Sequence, residues 1–262
     1  MCAIIVAWRV CDGVPLAVAA DRTEQYGRPS VPPRVIEEDP LIIAPQDEQA
    51  GGTWMGHNEH GVVAAVTNRW TNAELAGDRS RGLLVRDALA RQSAAEAAEF
   101  IADEVLDHEF AGFYLVVADT QSATLVQWDG ELTTHQLDSG VHIVVNVGST
   151  LGFDIPESGR ANVPGPVATG GERQAQSARA ARDVLETTPG ETPREWLDRV
   201  VATLCEHKNG FCIHSYAVGT TSASTYILGA DQTVRAEFAD GPPYQTEFAP
   251  VTTGMTQHDS PS

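Results

Sequence analysis

Strand signals and helix signals come in separate blocks along this chain, and that order limits the folds open to it. Residues 2–8 (CAIIVAW) are rich in β-branched and apolar residues and read as a strand. Cys11-Asp12-Gly13 carries the Asp-Gly hairpin signal, and residues 14–20 return as a second strand. Residues 22–46 hold five prolines and read as a long loop. A second hairpin, 53–57 and 62–67, surrounds a turn at Asn58–Gly61. Helices are expected at 81–92 and 94–106. Ala94, Ala97, Ala98, Ile101 and Val105 share one face of the latter, and Ser93 with Glu96 forms a capping box. Strands follow at 113–119, 123–128, 131–136 and 141–146. A Gly- and Pro-rich loop covers 147–172, and helices follow at 173–186 and 193–206. Thr192-Pro193-Arg194-Glu195 supplies an N-cap, a first-turn proline and a capping glutamate for the last helix. Strands near 212–217, 222–229 and 233–238 close the chain. Strand runs divided by helix pairs argue against a parallel βαβ sheet. They fit an α+β fold, a four-layer αββα sandwich of two mostly antiparallel sheets flanked by helices. Residues 1–249 read as one such domain, and 250–262 as a polar tail expected to be disordered.

Charge narrows the partners. The 262 residues include 36 Asp plus Glu against 17 Lys plus Arg, a formal net charge of −19, and Lys208 is the sole lysine. Such a surface repels nucleic acid and anionic lipid. It also repels itself unless salt shortens the Debye length, so a halophilic microbe's cytoplasm is the expected setting. Acidic residues are then surface dressing unless geometry says otherwise. No apolar run reaches the roughly 20 residues of a membrane span, and no secretory pattern opens the chain, so membrane insertion is not expected. The four cysteines (Cys2, Cys11, Cys205, Cys212) show neither CxxC nor zinc spacing, and no metal is expected.

Cys2 is the most informative residue. It follows Met1, and aminopeptidases remove methionine before a small residue. The new terminus would carry a thiol beside a free α-amine whose reference pKa of about 7.7–8.0 suits a base. The competing reading is a small buried hydrophobe. Asn68 and Asn146 each end a strand, where an amide could donate to a developing oxyanion or simply start a turn. Asp21 and Arg22 end the strand that pairs with the Cys2 strand. An arginine there could lower the thiol pKa, or could form an ordinary surface ion pair.

These residues fall within a series of motifs. The chain opens Met-Cys and carries Ala19-Ala20-Asp21-Arg22-Thr23-Glu24 followed by Arg28-Pro29. Then come Gly51-Gly52-Thr53-Trp54-Met55-Gly56, Ala64 to Asn68, Ser80-Arg81-Gly82, Gly112-Phe113-Tyr114-Leu115, and Tyr216 to Thr225. In this it resembles the NRDE family, also called the Transport and Golgi organisation 2 family, along nearly its whole length. It departs from the family pattern at Asp21, Thr23 and Thr221, where the family has Asn, Asp and Arg.

The family is in turn similar to N-terminal nucleophile hydrolases of the bile-salt-hydrolase and penicillin-acylase type. That likeness implies an αββα fold. It also implies Cys2 as nucleophile and α-amine base, with Asn68 and Asn146 toward the oxyanion. Asp21 would hold the amine and Arg22 would tune the thiol. The substrate would be a small molecule with a linear amide bond, and no cofactor is required. The family resemblance also implies an alternative, non-catalytic binding and trafficking of haem or an acyl lipid. His57, His60, His214 or Cys2 are then the candidate ligands.

Overall fold

The computed structural model describes residues 2–75, 77–156, 170–206 and 211–252. Among them the elements run β1 (Ile4–Cys11), β2 (Val14–Gln25), β3 (Ser30–Glu38), β4 (Leu41–Asp47), β5 (Met55–Asn58) and β6 (Val63–Asn68). Helices α1 (Arg81–Leu89) and α2 (Ala94–Asp107) follow, then β7 (Phe113–Ala118), β8 (Ala123–Trp128), β9 (Leu132–Gln136) and β10 (Gly140–Val145). The chain continues through β11 (Gly148–Ser149), β12 (Gly152–Phe153), α3 (Gly170–Leu185) and α4 (Pro193–Cys205). It ends with β13 (Val218–Leu228), β14 (Val234–Ala239) and β15 (Ala249–Pro250).

Two antiparallel sheets result. One has the order β12-β11-β10-β1-β2-β13-β14-β15, the other β3-β4-β5-β6-β7-β8-β9. Side chains alternate across a strand, so β1 serves two layers at once. Ile4, Val6 and Trp8 face Met55, Val63, Ala65, Tyr114 and Val116 of the second sheet. Ile5 and Ala7, with Ala17 and Ala19 of β2, face Ala178, Leu185, Trp196, Val200 and Leu204 of α3 and α4. The far side of the second sheet, through Ala64, Leu115 and Val117, covers Leu84, Leu89, Ala97 and Ile101 of α1 and α2. The layers are therefore helix, sheet, sheet, helix, the expected αββα sandwich. Each large side chain buried this way contributes about 1.5–3 kcal/mol. Trp196 is fully buried and also donates its indole N–H to the Leu185 carbonyl at 2.8 Å.

The helix starts follow their caps. Ser93 accepts from the Glu96 amide, and Thr192 forms the full reciprocal box with Glu195. The expected 22–46 loop is a correction. It holds the end of β2 and all of β3 and most of β4. Pro32 and Pro33 sit in β3, an edge strand whose register slips between Val31 and Arg34, so no ladder donor is lost. The 147–172 loop contains the short strands β11 and β12, and α3 starts at Gly170; residues 157–169 lie outside the described part. The expected 212–217 strand is reduced to a single bridge, His214 to Gly219, and β13 begins at Val218. Pro250, within the span expected as tail, pairs with Glu237 in β15, and residues 253–262 are outside the described part.

Candidate active site

Cys2 lies at the head of β1, which is flanked by β10 on one side and β2 on the other. The Asp21 amide donates to the Ala3 carbonyl at 3.2 Å, and the Asp21 carboxylate accepts the Ala3 N–H at 2.8 Å. The Cys2 sulfur accepts the Thr23 N–H at 3.3 Å and lies 3.4 Å from the Thr23 carbonyl, to which its thiol donates. Thr23 in turn donates its hydroxyl to Asp21 at 2.9 Å. A central strand with partners on both sides thus holds the thiol by main-chain geometry.

Cys2 lines a cavity of about 400 Å³. Its walls include Arg22, Thr23, Glu24, Arg28, Asp47, Trp54, Thr67, Asn68 and the segment Gly77–Gly82. Asp21 and Arg22 are neighbours on a strand and point opposite ways. Asp21 faces the head of β1, while Arg22 ion-pairs with Asp47 at 3.2 Å and stacks over Trp54 at 4.5 Å. Arg22 also donates to the Thr221 hydroxyl at 3.2 Å. The expected contact between arginine and thiol is therefore not made, although both groups line the same cavity. The Cys2 thiol stands above its ordinary value, through burial first and the Asp21 charge second. Burial also pushes Asp21 up to about 6, against the hydrogen bonds from Ala3 and Thr23. Burial works to raise Asp47 as well, but Arg28 at 2.6 Å, the Ala50 amide and Arg22 outweigh it and hold the carboxyl low.

The two asparagines divide the work. Asn68 is exposed at the end of β6 and lines the cavity. Asn146 is 4% exposed, and both its amide protons are committed, to the Thr67 hydroxyl and the Asn68 carbonyl at 2.9 Å each. The Thr67 hydroxyl then donates to the Cys2 carbonyl at 3.4 Å. Asn146 thus ties the end of β10, the end of β6 and the chain start together, and donates nothing into the cavity.

In the sequence Arg81 stands out only as part of Ser80-Arg81-Gly82, and that motif is the signal for it. Ser80 caps α1 by accepting from the Gly82 amide, and Arg81 follows as the first helical residue. A Cβ at Gly52 would overlap the Gly82 backbone, and the Thr53 amide donates to the Gly82 carbonyl at 3.0 Å. The absent Cβ lets the loop before β5 lie directly on the helix start. Arg81 then donates to the Gly112 carbonyl at 2.8 Å. Three separated motifs, around Gly52, Gly82 and Gly112, meet behind one guanidinium in the cavity wall.

The histidines lie elsewhere. His57 is buried in β5, edge-on to Tyr226 at 5.5 Å, and burial lowers it to about 4. It lines a second cavity with Asn58, Asp231 and Gln232. His60 lies in the turn, its amide donating to the Asn58 side chain at 3.0 Å. His214 is exposed, packs on Tyr244 at 4.8 Å and lies 3.9 Å from the Cys212 sulfur. Among the described residues that line the Cys2 cavity there is no histidine. No group of three or more His, Cys, Asp or Glu that could hold a metal occurs among the described residues, and no described helix is long and apolar enough to cross a membrane.

Three solved structures show the same architecture. Penicillin V acylase from Agrobacterium tumefaciens is 14% identical, with 94% of this chain and 93% of that one covered and a TM-score of 0.50. A mutant of conjugated bile acid hydrolase from Clostridium perfringens is 11% identical, covered at 98% on both sides, with a TM-score of 0.52. An N-acylethanolamine-hydrolyzing acid amidase orthologue from Caenorhabditis elegans is 12% identical, with coverage of 95% and 100% and a TM-score of 0.53. At such identities the likeness is one of fold. No curated protein matches this chain in sequence. The family model for Transport and Golgi organisation 2 matches residues 1–240, and with the motifs around Cys2, Gly52, Arg81 and Gly112 folded into one cavity, the chain belongs to that family.

Proposed function

We propose that this protein is an N-terminal-cysteine hydrolase of linear amide bonds. The observation that carries the reading is the position of the Cys2 sulfur. Cys2 lines a cavity of substrate size while its backbone is fixed at the head of a central strand beside Asp21. A thiol held above its ordinary value is mostly protonated at neutral pH and needs a base. Loss of Met1 would supply one in the α-amine of the same residue. The Asp21 carboxylate, one residue away through its bond to the Ala3 N–H, would orient that amine.

The steps then balance. The α-amine takes the thiol proton, and the sulfur attacks the amide carbon. Asn68 donates to the oxyanion. The α-ammonium returns the proton to the leaving nitrogen as the C–N bond breaks, which leaves a thioester on Cys2. The amine then takes a proton from water, whose oxygen displaces the sulfur and releases the acid, and the ammonium returns that proton to the departing thiolate. Asn146 acts by positioning Thr67 and Asn68 and does not meet the substrate.

The test is a panel of acyl p-nitroanilides in about 1 M KCl, where the Debye length is roughly 3 Å and surface repulsion is screened. Wild type should release nitroaniline and carry an acyl mass on the peptide containing Cys2. Cys2→Ala should do neither. Equal turnover by Cys2→Ala would sink the proposal.

A further inference from the structure

The cavity shows more than a nucleophile. In a chain with a formal charge of −19, its wall carries four arginines (Arg22, Arg28, Arg79, Arg81) against three carboxylates (Glu24, Asp47, Asp78). Three of the arginines are already engaged. Arg22 and Arg28 share Asp47, Arg28 also reaches Glu24, and Arg79 pairs with Asp87 and Glu104. Arg81 differs. Its hydrogen-bond partner is the neutral Gly112 carbonyl, and among the described residues it forms no ion pair. Burial pulls its pKa below the ordinary value and the neighbouring Arg28 works the same way; a Cys2 thiolate, when formed, and Glu24 oppose them. A partly buried guanidinium without a carboxylate partner is costly to maintain unless an anion completes it. Four of the five donors of an arginine remain after the Gly112 bond, enough for a two-pronged grip on a carboxylate.

We infer that Arg81 is a specificity-determining residue that binds a carboxylate on the substrate's acyl chain, so that the preferred substrates are amides of dicarboxylic acids. The inference rests on the hydrolase reading for its reaction and on the cavity alone for its anion site. Arg81 and Cys2 line the same 400 Å³ space, so one short substrate can reach both. Glu24 faces that space but is held by Arg28 at 3.6 Å, and Asp78 is exposed, so neither offers Arg81 a buried counter-charge. At molar salt no long-range steering survives, and discrimination has to come from direct contact in the cavity.

The experiment compares succinyl, glutaryl and adipyl p-nitroanilides with the neutral butyryl, valeryl and hexanoyl compounds. The proteins are wild type, R81K and R81Q, whose glutamine keeps an amide donor for Gly112. In parallel, glutarate is titrated into Cys2→Ala protein with and without R81Q, with the fluorescence of Trp54 in the cavity wall as the signal. Charged hydrogen bonds of this kind should give the best acidic anilide an advantage of about 10- to 100-fold in kcat/KM over its neutral partner. That ratio should fall to near one in R81Q and lie between in R81K, with glutarate binding at least about tenfold weaker in R81Q. A general structural loss would lower both substrate classes together, and the thermal midpoint reports it separately. Failure of every anilide, with glutarate binding that depends on Arg81, refutes the hydrolase reading and leaves the anion site standing. Equal turnover of acidic and neutral anilides by wild type, an unchanged ratio in R81Q, or glutarate binding indifferent to R81Q overturns the inference.

Discussion

Asn146 is the sharpest structural commitment of the site. It is 4% exposed, and its two amide protons hold the Thr67 hydroxyl and the Asn68 carbonyl at 2.9 Å each. Asn146→Ala leaves both acceptors short of a partner. Each such loss costs about 1–3 kcal/mol, so the variant should lose roughly 2–6 kcal/mol. Asn146→Asp is nearly isosteric but turns an oxygen toward those two oxygens. The Thr67 hydroxyl can rotate to serve it only by leaving the Cys2 carbonyl. Asn146→Asp should therefore be the less stable of the two at pH 7.5. Its deficit should shrink on acidification, because a buried carboxyl has a raised pKa and its neutral form regains a donor. The stability that protonation supplies is lost as pH rises through that raised value. Urea unfolding at pH 7.5 and pH 5 in constant KCl measures both effects. A loss below about 0.5 kcal/mol for Asn146→Ala, within ordinary surface scatter, or wild-type stability for Asn146→Asp at pH 7.5, would refute the reasoning.

Three further outcomes follow from the same structure. Asp21 is raised from 3.8 to about 6, so the chain that retains Met1 loses stability as pH rises across that interval. Asp21→Asn should be more stable than wild type by about 3 kcal/mol at pH 7.5 and about 1 kcal/mol at pH 4.5, a trend that pH-dependent urea unfolding would contradict if the two proteins ran parallel. Gly52→Ala forces a Cβ into the Gly82 backbone and should cost at least about 1–3 kcal/mol, whereas Gly27→Ala, which meets nothing within 4 Å, should stay within about 0.5 kcal/mol; calorimetric midpoints separate them. With a formal charge of −19, the thermal midpoint should rise steadily between about 0.1 and 2 M KCl, and a flat profile would show that self-repulsion is not the governing cost.

Much of this fold was legible because local signals and tertiary needs agree. The Ser93 and Thr192 caps start α2 and α4 where the sequence places them, and the apolar run from Ile4 to Trp8 suits a strand buried on both faces. The segment 22–46 misled because proline depletes strands in general, yet an edge strand with a broken register tolerates Pro32 and Pro33. The sequence also put Cys2, Asp21, Arg22, Asn68 and Asn146 in view, but not their directions. Asn146 meets Asn68 only because the ends of β10 and β6, from different sheets, come together. Arg22 turns from the thiol because β2 alternates. Arg81 was hidden for the opposite reason: its role depends on the close approach of Gly52 and Gly82, a relation between two motifs that neither motif states alone.

The central claim is that Cys2 acts from the chain's own terminus, and the intact mass of the protein purified from its native host tests it most directly. The account predicts a mass one methionine residue below the full translated sequence, so that Cys2 carries the free α-amine. A protein that keeps Met1 has no such amine on Cys2, and that result would contradict the mechanism.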